Sequence, residues 1–181
     1  MKKILLSWYG ITDLKASFKL DENNGPIFNA IKQRKYDKAI ILGYVDKDKK
    51  IDEFFSDFQG LDIVEIIKKY SNTLYANKNF KSWLQEKLLK ENAEADIVVY
   101  DVFLDSLSDT YAMHKAIDDV LKELSDQECI EIFLSPGTPV MAFMWAYTSF
   151  LYPKLNIKFI ASSSLTHEIE EIKLPSLENL K

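Results

Sequence analysis

The chain predicts a three-layer α/β fold on a mainly parallel sheet, and two observations carry that expectation. Short apolar runs at 3–9, 38–44, 96–104, 129–134 and 156–161 alternate with segments of helical periodicity. That alternation means strand–helix–strand units, whose sheet is covered on both faces.

Taken in order, residues 3–9 are a short apolar run and form a first buried strand. Residues 26–35 place Ile27, Phe28 and Ile31 on one helical face, with Pro26 in the first turn. Residues 38–44 (KAIILGY) are a second buried strand, and 51–58 a short helix with Gly60 as its stop. From 61 to 92, Ile63, Ile66 and Ile67, then Phe80, Trp83, Leu84, Leu88 and Leu89, fit helical periods. Asn72, Asn77 and Asn79 mark a break between two helices there.

Residues 96–104 are a third strand, and Ser108 is placed to cap a helix carrying Ile117, Val120, Leu121 and Leu124. Residues 129–134 are a fourth strand, 140–152 a helix stopped by Pro153, and 156–161 a fifth strand. Residues 168–174 fit an edge strand. No internal repeat or low-complexity linker interrupts the pattern. One domain over 1–181 is expected, with a core of about 1–164 and a C-terminal extension or linker over 165–181.

Composition removes several classes of function. Hydrophobic residues are 47% and charged residues 28% of the 181, which is globular composition. Lys plus Arg total 23 against 28 Asp plus Glu, a net charge of −5. Sequence-independent DNA binding needs a basic face and is disfavoured, whereas a local pocket for a small anion is not. No apolar run approaches the roughly 18 residues of a membrane span. Cys129 is the only cysteine, so neither an intrachain disulfide nor a cysteine metal site is available. The opening Met1-Lys2-Lys3 and its apolar run resemble a signal peptide, but the run breaks at Ser7 without a cleavage site. A first strand and a cytoplasmic location are expected.

In an open parallel sheet, ligands bind beyond the carboxyl ends of the strands. Gly10, Gly43 and Gly137 lie at or just past such ends, where glycine permits close backbone approach. The strongest local signal is Ser135-Pro136-Gly137-Thr138-Pro139, between a strand and a helix. Thr138 is placed as N-cap and Pro139 at the first helical position. Exposed N–H groups there, with the Ser135 and Thr138 hydroxyls, suit an anion such as phosphate. A second signal is the loop from Ser7 to Asp13, with Trp8, Tyr9, Gly10 and Thr12. Its aromatic pair beside a glycine suits stacking on a nucleobase. Ser162, Ser163 and Ser164 add hydroxyls on the same rim.

The helix at 140–152 is apolar almost all round, so it is either buried or packed against a second subunit. The chain lacks G-x-G-x-x-G, a Gly-Lys-Ser/Thr phosphate loop, H-E-x-x-H and a G-x-S-x-G elbow. His114 and His167 are isolated, Asp118-Asp119 and Glu170-Glu171 read as solvated faces, and neither a metal nor a cofactor is expected.

Met1 to Asp13, then Leu134-Ser-Pro-Gly-Thr-Pro-Val-Met141, then Phe159-Ile-Ala-Ser-Ser-Ser164, resemble a CARF domain, the CRISPR-associated Rossmann fold. The likeness spans nearly the whole chain and is strongest to the amino-terminal sensor domains of RtcR-type RNA-repair transcription regulators. It implies a Rossmann-like homodimer that binds a nucleotide across its two-fold axis. The implied ligand is a cyclic oligoadenylate, or in the RNA-repair regulators an RNA end bearing a cyclic phosphate. The implied contacts are Trp8, Tyr9, Gly10, Ser135, Gly137, Thr138 and Pro139.

In many CARF domains a Lys or Arg follows the Gly-Thr pair. Here Pro139 stands there, so that point supplies no cation. In the regulators an ATPase module and a DNA-binding module follow a segment like 168–175, so this chain is expected to be a sensor fragment or a stand-alone protein. The alternative activity is a ring nuclease. Such cleavage needs only a ribose 2′-hydroxyl held in line with the phosphate, so the lack of a catalytic motif does not exclude it.

Overall fold

The structure is a computed structural model and describes residues 1–49, 60–163 and 165–175. The helix expected at 51–58 and Ser164 lie outside the described residues. Six strands are present: β1 (Lys3–Trp8), β2 (Lys38–Asp46), β3 (Asp96–Leu104), β4 (Cys129–Phe133), β5 (Asn156–Ser162) and β6 (Ile169–Ile172). The helices are α1 (Ile11–Ser17), α2 (Gly25–Arg34), α3 (Ile63–Tyr70), α4 (Leu74–Lys90), α5 (Thr110–Leu121) and α6 (Pro139–Ser149).

The strands form one sheet in the order β3-β2-β1-β4-β5-β6. All neighbours pair parallel except β6, which runs antiparallel to β5 with Phe159 opposite Ile172. The expected mainly parallel sheet is therefore present, and the fold is Rossmann-like. Strand alternation divides the core in two. Ile4, Leu6 and Trp8 point to the α5/α6 side, with Met113, Ile117 and Trp145. Leu5 points to the α2/α4 side, with Phe28, Phe80 and Leu84. A smaller cluster of Leu14, Phe18, Ile66 and Tyr70 joins α1 to α3.

One polar network is buried at the amino-terminal end of the sheet. Glu131, on β4, is 2% exposed. Its carboxylate accepts hydrogen bonds from Arg34 Nε at 2.7 Å, Arg34 Nη2 at 2.5 Å and the Tyr36 hydroxyl at 2.6 Å. Burial pushes the Glu131 carboxyl up, and the Arg34 and Tyr36 hydrogen bonds outweigh that, holding it below its ordinary value.

Four local expectations are corrected. Residues 11–17 form a helix rather than loop, because Asp13 in its first turn reaches back to accept the Gly10 N–H on Oδ2 at 2.9 Å, the one half of a capping box that a glycine N-cap allows. Asp109, not Ser108, caps α5, accepting the Ala112 N–H at 3.2 Å. Asn72 does mark the break between α3 and α4, with φ +60°, but Asn77 and Asn79 lie inside α4. Helix α6 ends at Ser149, short of Tyr152, with tighter turns closing on Thr148 and Ser149 before Pro153.

Candidate functional site

Strand order reverses at β1, whose neighbours β2 and β4 lie on opposite sides. A crevice opens at such a switch point, between the loops that leave β1 and β4. These are the Tyr9–Gly10 loop and the Ser135–Thr138 loop. They meet through bare backbone: a β-carbon on Gly10 would lie 2.7 Å from the Gly137 nitrogen. The crevice is a pocket of about 360 Å3. Tyr9, Gly10, Thr12, Ser135, Gly137 and Thr138 all line it, and Asp13, Tyr44, Asn72, Leu107 and Met141 extend it.

Each loop is shaped by local chemistry. Thr138 caps α6, its Oγ1 accepting the Met141 N–H at 3.3 Å. Thr138 N–H points back to Met141 Sδ at 3.4 Å. A thioether thus stands where a capping box ordinarily places a carboxylate, and the first turn of α6 has no acidic side chain. Gly137 takes φ +86°, a left-handed conformation that only glycine adopts cheaply. Ser135 Oγ accepts the Ser162 N–H at 2.7 Å, joining this loop to the end of β5.

Tyr9 and Trp8 diverge. Trp8 is 0% exposed, lies in the α5/α6 core, and does not line the pocket. Its indole N–H is buried with no hydrogen-bond partner among the described residues. Successive side chains of an extended strand face opposite ways, so only one of this pair can form the wall. Tyr9 does so. Its ring stacks on Phe80 with centroids 4.5 Å apart and planes at 15°. Its hydroxyl donates to Asn77 Oδ1 at 2.5 Å. Asn77 Nδ2 donates in turn to Asp101 Oδ1 at 2.8 Å and Gly43 O at 3.3 Å. Gly43 serves this bracket, since a β-carbon there would lie 2.4 Å from Asn77 Oδ1. Pro139 opens α6 as expected but does not line the pocket.

Several lining or bracing residues are not marked as such by the sequence, among them Met141, Asn77 and Asp13. Met141 and Asn77 looked like an ordinary core residue and a helix breaker. Asp13 looked like a loop residue. It is 1% exposed, and its Oδ1 also accepts the Ile27 N–H at 3.1 Å. Burial pushes its carboxyl up to about 7, against the pull of those N–H donors. The Gly10-x-x-Asp13 spacing was the signal that could have found it. No lysine, arginine or histidine is among the described residues lining the pocket, so an anion there would rest on backbone N–H groups and hydroxyls.

His114 Nδ1 lies 2.9 Å from Thr148 Oγ1, joining α5 to α6. Among the described residues nothing covers the outer face of α6: Phe143 is 63% and Tyr147 53% exposed, with Phe150, just past its end, 68% exposed. Its inner face, with Met141, Met144 and Trp145, is buried. Among the described residues no helix is long and apolar enough to cross a membrane.

No protein-family model matches the chain, and no curated protein matches it. Two solved structures share its fold, and a third aligns more loosely. Csm6 of Enterococcus italicus, bound to cyclic hexa-2′-fluoro-hexa-dAMP, superposes with a TM-score of 0.55 at 19% identity, over 91% of this chain and 34% of that one. Protein VC1899 of Vibrio cholerae gives 0.50 at 13% identity, over 94% and 33%. Can2 of Sulfobacillus thermosulfidooxidans, in complex with cyclic tetra-adenylate, gives 0.49 at 12% identity, over 94% and 37%. The chain therefore spans about a third of the length of each. Fold and pocket define a Rossmann-like α/β chain with a ligand-sized crevice at the switch point of its sheet.

Proposed function

We propose that the chain is a CARF domain, a nucleotide sensor that binds a cyclic oligoadenylate in the crevice between the β1 and β4 loops and controls an effector. One observation carries this reading. The reversal of strand order at β1 brings Tyr9, Gly10, Ser135, Gly137 and Thr138 to one pocket. A phosphodiester at the α6 start would gain hydrogen bonds from backbone N–H groups and the two hydroxyls. Tyr9, braced by Asn77, would meet a base or ribose at the wall. The shared fold of the Csm6 structure with its cyclic hexanucleotide supports a cyclic oligoadenylate over an RNA end with a cyclic phosphate.

The complete site belongs to a symmetric dimer in this proposal. The exposed aromatic face of Phe143, Tyr147 and Phe150 is the surface that a second copy would bury, and two copies of each loop would build one composite pocket. Calorimetry with cyclic tetra- and hexa-adenylate, and with RNA ending in a cyclic phosphate, tests the ligand. Saturable binding of a cyclic oligoadenylate supports the sensor. Chromatography of the recovered ligand then separates a sensor, which returns it intact, from a ring nuclease, which returns linear products.

A further inference from the structure

Asp13 is a carboxylate enclosed by protein at the edge of the proposed anion site. Its Oδ2 holds the Gly10 N–H and its Oδ1 the Ile27 N–H. Gly25, at φ +80°, closes over it, and a β-carbon there would lie 2.8 Å from Oδ1. No cation compensates it among the described residues. On α2, Lys32 pairs with Glu91 and Arg34 with Glu131. On α4, Asn79 donates to Ser17, and Asn77 is taken by Tyr9, Gly43 and Asp101. The Tyr9 phenol, beside it on the β1 loop, is pushed upward by burial first and then by the Asp13 and Asp101 charges. Burial outweighs the pull of the N–H donors and pushes the Asp13 carboxyl up to about 7.

Asp13 lines the pocket, and the backbone of Gly10 that it grips lies against Gly137. An anion seated at the α6 start would therefore share the pocket with this group, and no lysine or arginine is among the described residues lining it. An ionised Asp13 repels that anion, and a protonated Asp13 does not.

We propose that anion binding in this pocket is proton-coupled, with an ionised Asp13 taking up a proton from solvent as a phosphodiester enters. The inference rests on the anion-binding reading of the pocket given above. Coupling is reciprocal: the factor by which protonation tightens the ligand is the factor by which the ligand raises the proton affinity of Asp13. The sign follows. Affinity is full below the free-state midpoint, and falls as pH rises between the free and bound midpoints by at most about tenfold per pH unit.

The test is calorimetry of the intact chain with cyclic tetra- and hexa-adenylate at pH 6, 7 and 8, each in two buffers of different ionisation enthalpy. The expected result is weaker binding at pH 8 than at pH 6, by about tenfold, with buffer-dependent heat showing proton uptake at pH 7. A carbon-13 NMR titration of the Asp13 carboxyl, free and bound, assigns the proton to Asp13 rather than to His114 or His167. Its midpoint should move up on binding. Tight binding with a flat pH profile, or an unmoved Asp13 midpoint, overturns the coupling alone. Failure of both nucleotides to bind at any pH overturns the reading beneath it, and the coupling with it.

Discussion

Gly10 and Gly137 touch backbone to backbone, so closely that a β-carbon on the first would lie 2.7 Å from the nitrogen of the second. That contact lies in the lining of the crevice and holds the β1 and β4 loops together. Gly10→Ala should force these loops apart, because the obstructing atom is main chain and has no rotamer to escape into. A fall in thermal midpoint together with weaker nucleotide binding is expected. Unchanged values for both would mean that the loops are not held by this contact.

Asn77 should behave as a brace rather than a surface residue of α4. Asn77→Ala removes the acceptor of the Tyr9 hydroxyl and the donor to Asp101 and Gly43. Leaving buried polar groups unpaired costs about 1–3 kcal/mol. Denaturant unfolding should show that loss, and the Tyr9 ring resonances should broaden. A variant as stable as the parent would contradict the account.

Two carboxyls set opposite pH dependences of stability. The Asp13 carboxyl is raised from 3.8 to about 7 in the folded chain. The folded state therefore holds a proton that the unfolded state has lost, and this part of the stability declines as pH rises through about 7. Glu131 is held below its ordinary value, so its contribution is present above the unfolded-state carboxyl range and is lost as pH falls through the folded value. Chemical unfolding at pH 6 and pH 8 should show greater stability at pH 6. The opposite order would rule out a buried, uncompensated Asp13.

The aromatic face of α6 should govern association. Phe143→Glu with Tyr147→Glu places two charges on residues that are 63% and 53% exposed, so folding should be retained. Sedimentation should show a dimer for the parent at micromolar concentration and a monomer for the variant. A monomeric parent would remove the composite pocket.

Much of this was legible in the sequence because burial on two faces writes itself as consecutive apolar residues. Strands β1, β2 and β4 follow directly from that, whereas β3 and β5 are apolar runs that are only partly buried. The Ser135–Pro139 turn was legible for a different reason, since Thr138 and Pro139 carry the chemistry of a helix start. Helix α1 was not, because Ile11–Ser17 is short and its buried face includes Asp13 and Ser17, polar residues that hide the periodicity. Asn77 misled because asparagine usually interrupts helices, whereas here its amide is satisfied by tertiary partners. Trp8 and Tyr9 looked equivalent as neighbours, and only strand alternation, once the register is known, sends one to the core and the other to the pocket. Ser108 and Asp109 are both good caps, and nothing local decides between them.

Thr138→Ala should weaken nucleotide binding and also cost about 1 kcal/mol of helix capping. The two effects separate by measurement: unfolding reports the cap, calorimetry the ligand. Loss of stability with unchanged affinity would remove the Thr138 hydroxyl from the site while leaving its role in α6.

Calorimetric titration of Gly137→Glu beside the parent, with cyclic tetra- and hexa-adenylate, tests the central claim most directly. Gly137 lines the pocket at φ +86°; a β-carbon there would lie 2.9 Å from Met141 Sδ, and a longer side chain would compete with a phosphate for space. A carboxylate adds like-charge repulsion. Circular dichroism should first establish that the variant is folded. Saturable binding by the parent and none by the folded variant is the expected result. Equal affinity in the two proteins would contradict it.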